Sequence, residues 1–208
     1  MSSHTSNQRP GVRDADDTGG AVPGDPRIVV RGKRISTLFD AATIDRRNGE
    51  LAKSIAAGGK RDLLVIAVLK GSFVFASDLI RALHAAGVEP EVEFITLSSY
   101  GAGTTGGEVR ILRDVDTDVA GRNVLLIDDI LESGRTLRFA RDLMHERGAA
   151  SVEIAVLLDK ASRRAAQEGV EADHAGFLCP DHFVVGYGMD VGHAFRELPF
   201  VGVVEGDA

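Results

Sequence analysis

Asp128 and Asp129 stand side by side, and Glu132, Ser133, Gly134, Arg135 and Thr136 follow almost at once. Adjacent carboxylates can hold sugar hydroxyls or a divalent cation. A small hydroxylated turn containing glycine can wrap a phosphate, above all where it opens a helix whose first N–H groups lack intrahelical partners. The chemistry on offer is capture of a phosphorylated ligand, with its hydroxyls on the acids and its phosphate on the turn. Acids also open helices where no ligand binds. Two adjacent acids plus a hydroxylated turn exceed what such a cap needs.

Elements must hold these groups in place. Val124 to Ile127 is a short apolar run of the buried-strand kind, the acids stand at its carboxyl end, and Leu137, Ala140 and Met144 recur with helical spacing beyond the turn. Upstream, Leu63 to Leu69 (LLVIAVL) reads as a central strand, followed by a helix from Phe73 to about Ala86 with Gly87 as its stop. Glu91 to Ser98 reads as a partly alternating strand with Val92, Phe94 and Ile95 inward or shared between its faces, and Val152 to Leu158 as another. Asp40 is placed to cap a helix carrying Ile44, Leu51 and Ile55, which Gly58 and Gly59 end. Shorter β segments are expected around His174 to Leu178, Phe183 to Tyr187 and Phe200 to Val204. Alternating strands and helices predict an α/β fold with a central, mostly parallel sheet flanked by helices, and ligands beyond the strands' carboxyl ends.

Two further loops stand at such ends. Lys70-Gly71-Ser72 follows the first central strand, where a glycine lets backbone approach an anion closely. Asp159-Lys160 follows a later strand. Gly101-x-Gly103-x-x-Gly106 formally fits a dinucleotide fingerprint, but that motif needs a helix directly after the glycines, and Glu108 to Leu112 alternates as a strand does. A glycine-rich hairpin loop is expected there instead.

Val124 to Leu137 closely resembles the phosphoribosyl-pyrophosphate (PRPP) signature of the type I phosphoribosyltransferases, and the remaining motifs resemble the 6-oxopurine, hypoxanthine-guanine branch. The resemblance spans roughly Val29 to Val204. It implies transfer of 5-phosphoribose from PRPP to N9 of hypoxanthine or guanine, with Mg²⁺ as cofactor. Asp128 and Asp129 would hold the ribose hydroxyls and metal, and Ser133, Gly134, Arg135 and Thr136 the 5′-phosphate. Lys70 and Gly71, joined to Leu69 by a cis peptide, would bind pyrophosphate together with Arg196 of Phe195-Arg196-Glu197-Leu198-Pro199-Phe200. Ser99 and Tyr100 would begin a flexible lid that keeps water from the reacting sugar. Lys160 would donate to the purine O6, Phe183 would stack on the ring, Val184 and the region of Asp190 would read its edge, and Asp190 would hold a second Mg²⁺. A small hood from the N- and C-terminal segments and a homodimer or homotetramer are also implied.

Two residues depart from that pattern. Glu132 stands where most 6-oxopurine enzymes have the aspartate that takes a proton near N7, and Asp128 where many have glutamate. Xanthine or adenine transfer stays open beside the main reading. So do the RNA-binding regulators of pyrimidine operons, whose Thr-Gly-Arg-Thr loop Arg135 resembles. Against the latter stand an ammonium suited to a 6-oxo group and the chain's acidity. The 208 residues carry a net charge of −7, which offers no broad basic face for nucleic acid or an anionic membrane.

One domain, 27–208, is expected, behind a Ser-, Asp- and Gly-rich tail, 1–26, too poor in apolar residues to order itself. Cys179 is the only cysteine and no apolar run nears the roughly 20 residues of a membrane span, so a cytoplasmic protein is expected. His84, His145, His174, His182 and His193 lack zinc-ligand spacing, although His193 falls near Asp190.

Overall fold

Capping and apolar periodicity set the first elements of the computed structural model, which describes residues 28–30, 32–99, 109–161 and 169–205. The expected tail, 1–26, lies outside them. Ile28–Val30 (β1) and Lys33–Phe39 (β2) precede a helix, Ala41–Ala57 (α1). The Asp40 carboxylate accepts from the Thr43 N–H at 2.7 Å, and Ile44, Leu51 and Ile55 face inward, as their spacing requires. The chain continues through Leu63–Leu69 (β3), Phe73–Ala85 (α2), Glu91–Ser99 (β4), Val109–Arg113 (β5), Asn123–Leu131 (β6) and Arg135–Glu146 (α3). Ser151–Asp159 (β7), His174–Leu178 (β8), Val184–Val185 (β9) and Val201–Val204 (β10) complete it.

Six strands form the main sheet in the order β5-β4-β3-β6-β7-β8, parallel except for β5 on one edge. Alternate residues of the central strands feed two cores. Val65, Ala67, Leu125 and Leu157 face α1 and α2, while Leu64, Ile66, Leu126 and Val156 face α3 through Leu137, Ala140 and Met144. Burial on both faces is why these strands read as unbroken apolar runs. A second, antiparallel sheet, β1-β2-β10-β9, joins the two ends of the described chain into the expected hood, around Ile35, Val185, Phe195, Phe200 and Val204.

The strand order reverses between β3 and β6, the switch point at which parallel sheets bind ligands. Their pairing ends at Ala67 and Ile127, whereas β6 continues beside β7 to Leu131 opposite Asp159. Asp128 and Asp129 therefore lie within the strand, not after it. The expectation of a strand ending at Ile127 is corrected by this one-sided pairing. Val92 and Phe94, expected inward or shared between faces, are 37% and 43% exposed. Only Ile95 of that trio is buried, because its face packs in the α3 core.

The outer strand β8 is covered from α1. The Arg47 guanidinium, 7% exposed, donates to the carbonyls of Gly176 at 2.7 Å and Ala175 at 2.9 Å and pairs with Glu50. Arg47→Ala strips that cover from the strand leading into the hood. A loss of about 3 kcal/mol is expected, read as a shifted urea midpoint.

Candidate active site

The carboxyl ends of β3, β6 and β7 supply three loops to one cleft. After β3 the Leu69-Lys70 peptide is cis, as the resemblance implies. Ser72, fully buried, donates from its hydroxyl to the Val68 carbonyl at 2.6 Å and holds the turn into α2. Gly71 lies directly on the acids: a Cβ there would sit 2.6 Å from Cγ of Asp129 and closer still to its Oδ2. Glycine is required here by contact rather than by backbone freedom.

Within β6 the Asp129 N–H donates to Oδ1 of Asp128 at 2.9 Å. Burial raises the Asp128 carboxyl well above the ordinary range, and the neighbouring Asp129 charge raises it further. Burial raises Asp129 too, while the nearby hydrogen bonds and the Arg196 charge pull it back. The pair is primed for cations and hydroxyl donors. Beyond it, Gly134 takes a left-handed φ of 83° as the cap of α3, and the Arg135 N–H points to the Ser133 hydroxyl at 3.4 Å. Arg135 is exposed, and Ser133 and Thr136 are half-buried at the helix's positive end.

After β7, Lys160 is 5% exposed and its N–H donates to the Leu131 carbonyl at 2.9 Å. Its ammonium lies 3.8 Å from Oε1 of Glu132. Those two side chains share a cavity of about 360 Å³ with Asp129, Phe183, Val184 and Asp190. Six of the expected site residues thus meet in one pocket. Val184 is buried, and Phe183 is 47% exposed at the pocket's edge.

The hood closes the site. Arg196 pairs with Asp190 at 2.5 Å and donates to the Gly188 carbonyl at 2.6 Å. The His193 N–H donates to the other Asp190 oxygen at 2.7 Å, and its ring nitrogen lies 3.8 Å from that oxygen. Ser99 ends β4, whereas Tyr100 and the Gly101 to Gly106 stretch lie outside the described residues. Beyond that stretch β5 follows as a strand antiparallel to β4, where the dinucleotide motif would need a helix. Ile130, His182 and Met189 line the pocket without having been singled out from sequence. Only the adjacency of His182 to Phe183 and of Met189 to Asp190 could have marked them.

A parallel sheet with two adjacent acids in the strand at its switch point and a turn opening the next helix is the arrangement of a phosphoribosyltransferase domain. Residues 35–191 match the family described as the phosphoribosyl transferase domain. The hypoxanthine phosphoribosyltransferase of Escherichia coli K12 is 40% identical over 174 residues, covering 82% of this chain and 95% of the relative. The hypoxanthine-guanine phosphoribosyltransferase of Streptococcus thermophilus CNRZ 1066 is 42% identical over 171 residues, covering 81% and 92%. A crystal structure of the Staphylococcus aureus hypoxanthine phosphoribosyltransferase superposes with a TM-score of 0.76 at 37% identity, covering 82% of this chain and 91% of that one. The chain belongs to the hypoxanthine-guanine phosphoribosyltransferase family.

Proposed function

We propose that this chain serves purine salvage, transferring 5-phosphoribose from PRPP to N9 of hypoxanthine or guanine to give IMP or GMP and pyrophosphate. The observation that carries the reading is the Lys160 ammonium, buried in the base pocket 3.8 Å from Glu132. An ammonium there donates to a purine O6, and a carboxylate beside it accepts the proton at the adjoining N7. One ion pair addresses both atoms of that purine edge. A 6-amino group offers Lys160 no useful acceptor, which disfavours adenine.

The other residues hold the sugar. Asp128 and Asp129 accept from the ribose 2′- and 3′-hydroxyls, and the Ser133 to Thr136 turn grips the 5′-phosphate from the start of α3. Anchoring the remote phosphate fixes C1′ against the base. Phe183 stacks on the purine, while backbone at Val184 and near Asp190 reads its far edge. Lys70, Gly71 and Arg196 take the departing pyrophosphate, and Ser99 and Tyr100 begin the lid.

Among the described residues no group of three His, Cys, Asp or Glu could hold a metal alone. Pairs of carboxylate oxygens suit Mg²⁺, which binds through one or two carboxylates plus substrate phosphates. Asp128 and Asp129 form one such set and Asp190 another. When bound, Mg²⁺ neutralises charge on the pyrophosphate and improves it as a leaving group. No helix among the described residues is long and apolar enough to cross a membrane. A cytoplasmic setting fits the lone, buried Cys179, and the family's habit favours a homodimer or homotetramer.

The test is product formation from PRPP with hypoxanthine, guanine, xanthine, adenine and uracil side by side. Hypoxanthine and guanine are expected to react fastest. Reaction with adenine or uracil alone would overturn the role given to Lys160.

A further inference from the structure

The hood meets the pyrophosphate loop through a turn of unusual composition. Gly186 and Met189 exchange backbone hydrogen bonds at 3.1 and 3.0 Å, which leaves Tyr187 and Gly188 as the central residues of a tight hairpin. Both have positive φ, 50° and 100°, the pattern of a type I′ turn. Asparagine, aspartate or glycine normally fills the first central position, because a bulky side chain there is strained. Something must hold Tyr187 in place.

Its hydroxyl is held from two helices. Tyr187 is 5% exposed; its Oη donates to Oδ2 of Asp78 in α2 and accepts from Nδ2 of Asn48 in α1 at 2.9 Å. Asn48 is itself buried, and its Oδ1 has no hydrogen-bond partner. With the phenol proton committed to Asp78, Asn48 must present its amide N–H to Tyr187 and leave its own oxygen unpaired. A buried orphan acceptor and a strained tyrosine are two local penalties accepted for one contact.

That contact fixes the next residue along the chain. A Cβ on Gly188 would overlap the Gly71 carbonyl oxygen, so this turn rests on the anion loop itself. The Gly188 carbonyl also accepts from Arg196, which pairs with Asp190. Gly71, Gly188 and Arg196 therefore share one point of contact, and the phenol pins it to the helices below.

We infer that Tyr187, through its hydroxyl on Asp78 and Asn48, is a positioning residue for the pyrophosphate end of the site. The inference rests on the proposed function, since it needs Gly71 and Arg196 to face the leaving group. Loss of the pin loosens PRPP and pyrophosphate and leaves base binding alone.

The test compares Tyr187→Phe, Asp78→Ala and Asp78→Asn with wild type. The measurements are KM for PRPP, KM for hypoxanthine, and calorimetric affinity for magnesium pyrophosphate. Tyr187→Phe and Asp78→Ala are each expected to raise KM for PRPP and weaken pyrophosphate about tenfold, with KM for hypoxanthine unchanged. The double variant should be no worse than either single one. Asp78→Asn still accepts from the phenol and should stay near wild type. If Tyr187→Phe does not fold, Asp78→Ala against Asp78→Asn decides alone. An unchanged KM for PRPP, or equal losses for PRPP and hypoxanthine, would overturn the inference. A wild type that binds magnesium pyrophosphate but transfers nothing to any 6-oxopurine would overturn the functional reading instead, and the pyrophosphate affinities would still decide the role of Tyr187.

Discussion

Glu132→Gln lowers kcat for hypoxanthine by about 10² to 10⁴-fold, the span a positioned general base supplies. Glutamine keeps the shape of the side chain and its reach toward Lys160, 3.8 Å away in the wild type. It loses the ability to take a proton. KM for PRPP should change little, because Glu132 faces the base pocket rather than the phosphate turn. Glu132→Asp separates base chemistry from reach. It keeps a carboxylate one methylene shorter and should recover most of the lost rate, although the shorter arm stands further from Lys160. Steady-state rates of the three proteins make the comparison. An unchanged kcat in Glu132→Gln would move the proton acceptor elsewhere.

Gly71→Ala is the second large effect, and its cause is steric. The new methyl group would sit 2.6 Å from Cγ of Asp129, so either the anion loop or the acid must move. Either displacement separates the groups meant for pyrophosphate and ribose. A misplacement near 1 Å costs about 100-fold in rate, and kcat/KM for PRPP should fall at least that far. Gly49→Ala is the control, since nothing lies within 4 Å of a Cβ at that position in α1. There the loss of glycine's backbone freedom should raise stability by about 0.5 to 1 kcal/mol, with kinetics unchanged. Equal kinetics in the two variants would show that the contact between Gly71 and Asp129 does not matter to turnover.

Much of this site was legible because its residues cluster in the chain. Asp128 to Thr136 form one loop after one strand, and a doubly buried strand such as Leu63–Leu69 carries an apolar signature no loop shares. Errors arose where the neighbour decides. Phe94 and Val92 look like core residues, yet their face of β4 is exposed; sequence alternation records two faces without saying which is covered. The strand through Asp128 and Asp129 was foreseen too short, since only β7 beside it sustains the pairing. Tyr187 and Asp78 are unreadable as partners from sequence. They lie far apart in the chain, and each looks ordinary by itself, a hood aromatic and a helix-surface acid.

The hood strand β10 has a consequence for how the protein acquires its function. Val204 pairs with Ile35, Gly202 with Thr37, and on its other side Gly202 pairs with Val185. The segment that begins at Val184, proposed to read the base, thus pairs with β2 through β10, from the opposite end of the described chain. Contacts of such sequence separation form late, because a long loop must close before they contribute. During synthesis the main sheet, with both acids and Lys160, can assemble while β10 has yet to emerge. The two acids, the turn after them and the Lys160–Glu132 pair would then be in place before Val184 and Arg196 are fixed by the hood, and a truncated nascent chain would hold half a site.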